Sequence, residues 1–275
     1  MAGAELGFHH ATVRNARLLH QKKHRQQQRC FLVEGAQVLE EALAGNARIE
    51  RVFALPGAIS EHLAGSLRTA GAEIHDVDRR TIESLAQTQT PQPVVGVIRF
   101  LHRDIAELER LVPREAAASV LVLPDLADPG NAGTLIRSAA AFGANAVCVG
   151  AHAVEPYNDK VVRASIGALF RVPLLVYDDW LSFARHARAA DLAIVGTAAE
   201  GSDVRSVTLP QRAALLVGQE RRGLAGIPAE DLNLVVSVPQ APGIESLNAS
   251  VAGSIVLYEL ARSHGLAGRA ARENK

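Results

Sequence analysis

The sequence predicts an α/β protein in two parts, a small front domain followed by a larger domain built on a parallel sheet. Three observations predict it. Between residues 30 and 100, short apolar runs alternate with helix-periodic stretches. Ser119–Leu123 (SVLVL) is a continuous apolar run of the kind found in a central parallel strand buried on both faces. Strand candidates then recur at 145–149, 173–177, 192–197, 213–217 and 234–238, with helix candidates between most of them. With 275 residues, 48% of them hydrophobic, the chain has the apolar material for two cores.

Taken in order, residues 9–29 (HHATVRNARLLHQKKHRQQQR) carry Arg14, Arg17, Lys22, Lys23, Arg25 and Arg29, with no acidic residue between Glu5 and Glu34. Such a patch suits contact with a phosphate backbone, and equally a solvated helix face. A strand is expected at CFLVEG, a helix at AQVLEEAL, a strand at RVFAL, a helix over 58–70 and a strand over 73–77. A helix near 78–87 and the apolar run Val94–Phe100 complete a front domain over 1–102. Residues 103–117 are charged and Ala-rich around Pro113 and are expected to link it to a second domain over 118–275.

The 29 Lys and Arg balance the 29 Asp and Glu, so no global field draws the protein to nucleic acid or membrane, and recognition falls to local patches. Cys30 and Cys148 stand in neither a CxxC nor a metal-ligand spacing, which points to a reduced, cytoplasmic protein without disulfides or a metal site. The N-terminus has no apolar leader pattern and no run of apolar residues long enough to span a bilayer, so neither export nor membrane insertion is expected.

Three stretches of the second domain could carry chemistry. Asp128-Pro129-Gly130-Asn131 forms a turn after the first strand, with Asn131 a candidate N-cap, and Gly133 and Arg137 share a helix face beyond it. Val217-Gly218-Gln219-Glu220-Arg221-Arg222-Gly223 sets a carboxylate between two glycines at the carboxyl end of a strand, where open α/β sheets place ligands, although Glu220 also reads as an exposed loop charge. Leu234–Glu259 runs from a strand through a Pro/Gly-rich loop into Ser246-Leu247-Asn248 and an apolar helix. Its hydroxyl and carboxamide sit at a helix start, and Val238 and Leu247 suit either a ring-binding wall or the core. No GxGxxG, GxxxxGK[ST], HExxH or GxSxG occurs, which leaves Rossmann, P-loop, zincin and α/β-hydrolase sites unsupported.

Together DPGNAGTLIRSAAAFGA, LLVGQERRGL and SVPQAPGIESLNASVAGSIVLYE resemble, in order, the three motifs of the SpoU (TrmH) family of RNA 2'-O-ribose methyltransferases in the SPOUT superfamily. NDKVVRASIGALFRVP resembles the segment these proteins carry between the first two motifs, so the likeness covers nearly all of residues 119–262. The front half is similar to the L30e-like substrate-binding domain attached to many members. The resemblance implies a deep trefoil knot in the second domain, an S-adenosylmethionine cofactor, and a homodimer whose active sites lie at the interface. Its expected activity is methylation of a ribose 2'-hydroxyl in 23S ribosomal RNA. Alternatives are a tRNA 2'-O-methyltransferase, or a non-catalytic RNA-binding or ribosome-assembly factor. On the matching positions it implies cofactor contacts at Thr197, Gly218, Val238 and Leu247, and active-site roles for Asn131, Arg137, Glu220, Ser246 and Asn248. RNA contacts are expected at Arg14, Lys22, Lys23, Arg25 and Arg29. Gln219, Arg221, Gln240 and Pro242 depart from the family's usual residues.

Methyl transfer from a sulfonium to a hydroxyl needs alignment and removal of the hydroxyl proton. A guanidinium loses its proton only above a pH of about 12. Two roles therefore stand open for Arg137, a base acting with help from an RNA phosphate, or a cation that stabilises the developing alkoxide.

Overall fold

The computed structural model describes residues 6–219, 222–243 and 246–265, and the chain divides into two compact units. One comprises the chain up to Leu101 together with Tyr157–Arg171; the other comprises His102–Pro156 and the chain from Val172.

In the first unit, helices α1 (Ala11–Leu18) and α2 (Lys22–Gln28) lead into β1 (Cys30–Glu34), α3 (Ala36–Ala44), β2 (Ile49–Ala54), α4 (Glu61–Thr69), β3 (Glu73–Asp76), α5 (Arg79–Leu85) and β4 (Val94–Arg99). Ser60 and Asp78 start α4 and α5 as N-caps, each accepting a backbone N–H with its side chain. The sheet order is β1-β4-β2-β3, with β2 and β3 parallel across the α4 crossover and the other pairs antiparallel. Val13, Leu19, Phe53, Ile82, Leu85 and Val95 fill a core on which α1 and α5 pack.

The expected cationic patch separates into two kinds of residue. Arg14, Lys22, Lys23 and Arg29 are exposed. Arg25 is buried, and its guanidinium donates to the carbonyls of Leu19 (3.0 Å) and His20 (2.9 Å). The last carbonyls of α1 have no partner within the helix, and Arg25 supplies one from the next helix. Arg25 is thus a structural cation and leaves the set expected to contact RNA.

The second unit opens with a two-residue strand β5 (Arg103–Asp104) and a short helix α6 (Leu108–Leu111), so residues 103–117, read from sequence as a linker, contribute an edge strand and a core-packed helix. There follow β6 (Ala118–Leu123), α7 (Pro129–Ala141) and β7 (Ala146–Gly150). Residues 157–171 belong to the first unit, where α8 (Asp159–Ser165) lies, the ring of Tyr157 packs 4.7 Å from that of Phe31, and Arg171 pairs with Glu41. The second unit resumes with β8 (Leu174–Tyr177), α9 (Trp180–Ala189), β9 (Ala193–Asp203), β10 (Arg212–Leu216), β11 (Leu234–Ser237) and α10 (Ala249–Ser263). Its seven strands run in the order β11-β9-β10-β6-β7-β8-β5, all parallel. Every residue of β6 is buried, as the SVLVL run predicts for a central strand.

Strand order reverses between β6 and β10, and that switch point opens a crevice at the strands' carboxyl ends. The ladder between β9 and β11 also breaks there. Val235 pairs with Gly196, but the next residue, Val236, pairs with Ser202, so residues 197–201 swing out of register toward the crevice. Among the described residues no helix is long and apolar enough to cross a membrane.

Replacing Arg25 with alanine leaves two buried carbonyls without a donor and is expected to cost about 2 kcal/mol or more of stability by urea unfolding. Alanine at exposed Lys22 or Lys23 is expected to shift stability by less than about 0.5 kcal/mol in the same assay.

Candidate functional site

The crevice at the switch point is built by three loops. The first follows β6. Asp128, and not Asn131, is the N-cap of α7: its Oδ1 accepts the Asn131 amide at 2.7 Å, and Pro129 takes the first helical position, where a missing N–H costs nothing. Because Asp128 holds the backbone amide, the Asn131 side chain is released from capping. Buried, it accepts a hydrogen bond from Asn248 Nδ2 at 2.9 Å.

Asn248 caps α10. Its Oδ1 accepts from the amide of Ser250 (2.9 Å), the hydroxyl of Ser250 (2.7 Å) and the amide of Val251 (3.2 Å), so the same carboxamide that closes one helix start reaches across to the other. The two helices meet closely beyond that point. Ser138 and Ser254 hydroxyls lie 2.7 Å apart. A side chain on Gly253 would approach Leu135 Cδ2 to 2.7 Å and Val217 Cγ2 to 2.8 Å, so glycine is needed for this packing.

The second loop follows β10. A Cβ on Gly218 would come within 1.9 Å of the Gly223 carbonyl oxygen, so the loop closes on itself only with glycine there. The amide of Gly223, itself at φ +52°, donates back to Gln219 O at 2.8 Å. Gln219 Nε2 donates to the Asp125 carbonyl at 2.8 Å and ties this loop to the first. Glu220, and with it Arg221, lies outside the described residues. The third loop is residues 197–201, held by Ser237 Oγ donating to Gly201 O (2.8 Å) and Thr197 Oγ1 donating to Leu216 O (3.0 Å).

The loop after β10, residues 197–199, the stretch after β11 and the start of α10 line one cavity. Thr197, Gly218, Val238 and Leu247, the four expected cofactor contacts, all line it, and so does Ser246. Val217, Val236 and Val256 add apolar wall, while Ser237, Gln219 and Gln240 supply polar edge. Ala198 and Ala199 also line it, and sequence periodicity does not single them out, because nothing in a continuous strand pattern marks a break in pairing.

The expected active-site set is brought together only in part. Asn131 and Asn248 are in contact, and Ser246 faces the cavity beside them in sequence. Arg137 lies on α7 with its side chain exposed, and it makes no hydrogen bond or ion pair among the described residues.

Comparison with known proteins agrees with this architecture. Residues 118–258 match the model of the SpoU rRNA Methylase family, and residues 10–96 match an MRM3-like substrate binding domain. The chain is 29% identical to the 23S rRNA (guanosine(2553)-2'-O)-methyltransferase RlmP of Bacillus subtilis, over 90% of this chain and 95% of that one. It is 32% identical to an uncharacterized tRNA/rRNA methyltransferase of Synechocystis, over 91% and 90%. A crystal structure of an AdoMet-bound rRNA methyltransferase from Sinorhizobium meliloti superposes with a TM-score of 0.83 at 29% identity, covering 94% of this chain and 98% of that one. On its sequence motifs, its parallel sheet and these matches, the chain belongs to the SpoU rRNA methylase family.

Proposed function

We propose that the protein transfers a methyl group from S-adenosylmethionine to a ribose 2'-hydroxyl of ribosomal RNA, with 23S RNA as the substrate. The observation that carries this is the cavity at the carboxyl ends of β9, β10 and β11, which gathers Thr197, Gly218, Val238 and Leu247 beside the start of α10, where Asn248 is joined to Asn131. Support from relatives lies in the 23S rRNA 2'-O-methyltransferase named for Bacillus subtilis and the AdoMet-bound structure from Sinorhizobium meliloti.

The cavity's chemistry fits the cofactor. Its walls at Val217, Val236, Val238, Leu247 and Val256 suit a flat adenine ring and a methionine chain, and its polar rim offers hydroxyl and amide groups. Bound there, S-adenosylmethionine supplies a methyl group already activated on a sulfonium. What remains for the protein is alignment of the acceptor and management of one proton. Asn248, fixed by Asn131 and by the α10 amides, and Ser246 at the cavity edge position the ribose. Arg137, unpaired and exposed, is available to meet the RNA and to hold the oxygen as its negative charge develops. The stabilising role is the one assigned to Arg137, since a guanidinium is a poor proton acceptor. Glu220 is assigned to shaping its loop.

The same assignment carries finer features. The family resemblance of the third motif carries a deep trefoil knot there, and its helix α10 packs on α7, β6 and β10. Exposed Val251 and Tyr258 on α10 support burial of that helix in a homodimer with the sites at its interface. The front unit, read as an L30e-like module, holds RNA by its phosphates through exposed Arg14, Lys22, Lys23 and Arg29.

Three outcomes follow from these assignments. Methyl incorporation into ribosomal RNA by Arg137→Ala is expected to fall at least about 100-fold in kcat, the scale of one lost oxyanion-type donor, with Arg137→Lys partly active; wild-type turnover in Arg137→Ala overturns the role. A Gly218→Ala variant is expected to raise the Kd for S-adenosylmethionine about tenfold or more by calorimetry, while RNA affinity stays unchanged. Joint alanine substitution of Arg14, Lys22 and Lys23 is expected to flatten the slope of log K against log salt for RNA binding by about 2, with cofactor affinity unaffected.

A further inference from the structure

A second cavity of about 250 Å³ lies in the same unit at the carboxyl ends of β6, β7 and β8. Gly223 lines both cavities, so the loop after β10 is a shared wall, with the candidate cofactor cavity on one side and this one on the other. Gly150 forms part of its lining, and a Cβ there would meet the Pro124 carbonyl oxygen at 2.3 Å and Tyr177 Cζ at 3.1 Å.

The lining has two kinds of surface. Trp180, Leu224 and Ile227 are half-buried and apolar. Trp180 is anchored by its indole N–H donating to Asp231 Oδ2 at 2.6 Å and by Phe183, whose ring centre lies 5.2 Å away. Set with them are Asp125 and Tyr177. The Asp125 carboxylate is half-buried and forms no ion pair or hydrogen bond with any other described residue, and desolvation raises its pKa. Tyr177 is 5% exposed, and its hydroxyl has no hydrogen-bond partner among the described residues. Hydroxyls as buried as that of Tyr177 are nearly always paired, so an orphaned phenol sharing one cavity with a half-buried carboxylate, which is held only by its own backbone amide, calls for a ligand that pairs with them.

The chemistry narrows that ligand. Asp125, Asp178 and Asp179 line the cavity and give it a negative cast that disfavours phosphate, although the Arg222 guanidinium offsets part of the charge on Asp125. A flat apolar wall opposite an acceptor suits a planar ring with N–H donors on its edge. Guanine presents two adjacent N–H donors on one edge, and a carboxylate accepts both in parallel. Enzymes that act on a nucleotide hold it out of its stack in such pockets, with the base against aromatic and apolar side chains.

Taking the RNA methyltransferase function above as the basis, we propose that this cavity receives the unstacked base of an RNA nucleotide beside the methylated ribose, that Asp125 accepts its N–H edge, and that guanine is the preferred base. Trp180 forms the apolar wall and Asp125 sets the specificity, on the far side of the loop that closes the cofactor cavity.

Trp180 is the only tryptophan of the chain, so its emission reports on this cavity alone. Guanosine titrated into the full-length protein is expected to give a saturable change in Trp180 emission, uridine a much weaker one, and Asp125→Asn, which keeps the side chain's shape but offers an N–H where guanine needs an acceptor, is expected to weaken the guanosine response at least tenfold. The same variant is expected to lower kcat/KM for ribosomal RNA at least tenfold with S-adenosylmethionine affinity unchanged. The absence of a saturable response to guanosine, or a response indifferent to Asp125→Asn, overturns the assignment. Because nucleoside binding is read without methyl transfer, a wild-type protein that methylates RNA but ignores guanosine refutes the base pocket alone, whereas one that binds guanosine but methylates no RNA refutes the methyltransferase function and with it the pocket's place beside a methylated ribose, leaving only the guanine site.

Discussion

The close seating of α10 on α7 is the constraint on which the rest of the site depends. Gly253 lets the helices approach to where Leu135 and Val217 would exclude any side chain, and the Ser138 and Ser254 hydroxyls meet across the seam. At that spacing the two helix starts are brought together, so that Asn248 both caps its own helix and donates to Asn131. A carboxamide shared between two helix starts has few alternative positions, because turning it away would strand the α10 amides and the Asn131 oxygen together. The cavity wall at Leu247 and Ser246 is the residue run directly before this cap, and its position follows from the cap's.

A second consequence runs through the loops. The Gly218 loop closes on Gly223 and is tied by Gln219 to the end of β6, so the loops after the two strands that flank the switch point are mechanically one body. The same loop walls both cavities at Gly223. A ligand in either cavity would rest against this one loop.

Much of this was legible in the sequence. The strand candidates fall on β6 to β11, because a buried parallel strand must be continuously apolar and SVLVL has few other fates. The pocket residues Thr197, Gly218, Val238 and Leu247 came from motif order, and they converge in one cavity. What was not legible depends on partners distant in the chain. Asn131 and Asp128 are both good caps, and only the geometry of the turn assigns the amide to Asp128 and releases Asn131 for Asn248. Arg25 looks like its cationic neighbours until α1 ends beside it with unpaired carbonyls. Residues 103–117 read as a linker or a linking helix, and the edge strand Arg103–Asp104 is too short to be seen without its pairing to β8. The 197–201 excursion is invisible because a shift in pairing leaves no mark on hydropathy. The second cavity draws Asp125 from the end of β6 and Tyr177 and Trp180 from the end of β8, and their meeting is a property of strand order.

The central claim is that this chain places a methyl group on a ribose of ribosomal RNA. Mass mapping of ribose-methylated nucleotides in RNA from cells with and without the gene tests it most directly. The account predicts one 2'-O-methylated nucleotide of 23S RNA that disappears with the gene and returns when the intact chain, but not the Arg137→Ala variant, is restored. Identical ribose methylation of ribosomal RNA in the two strains would contradict it.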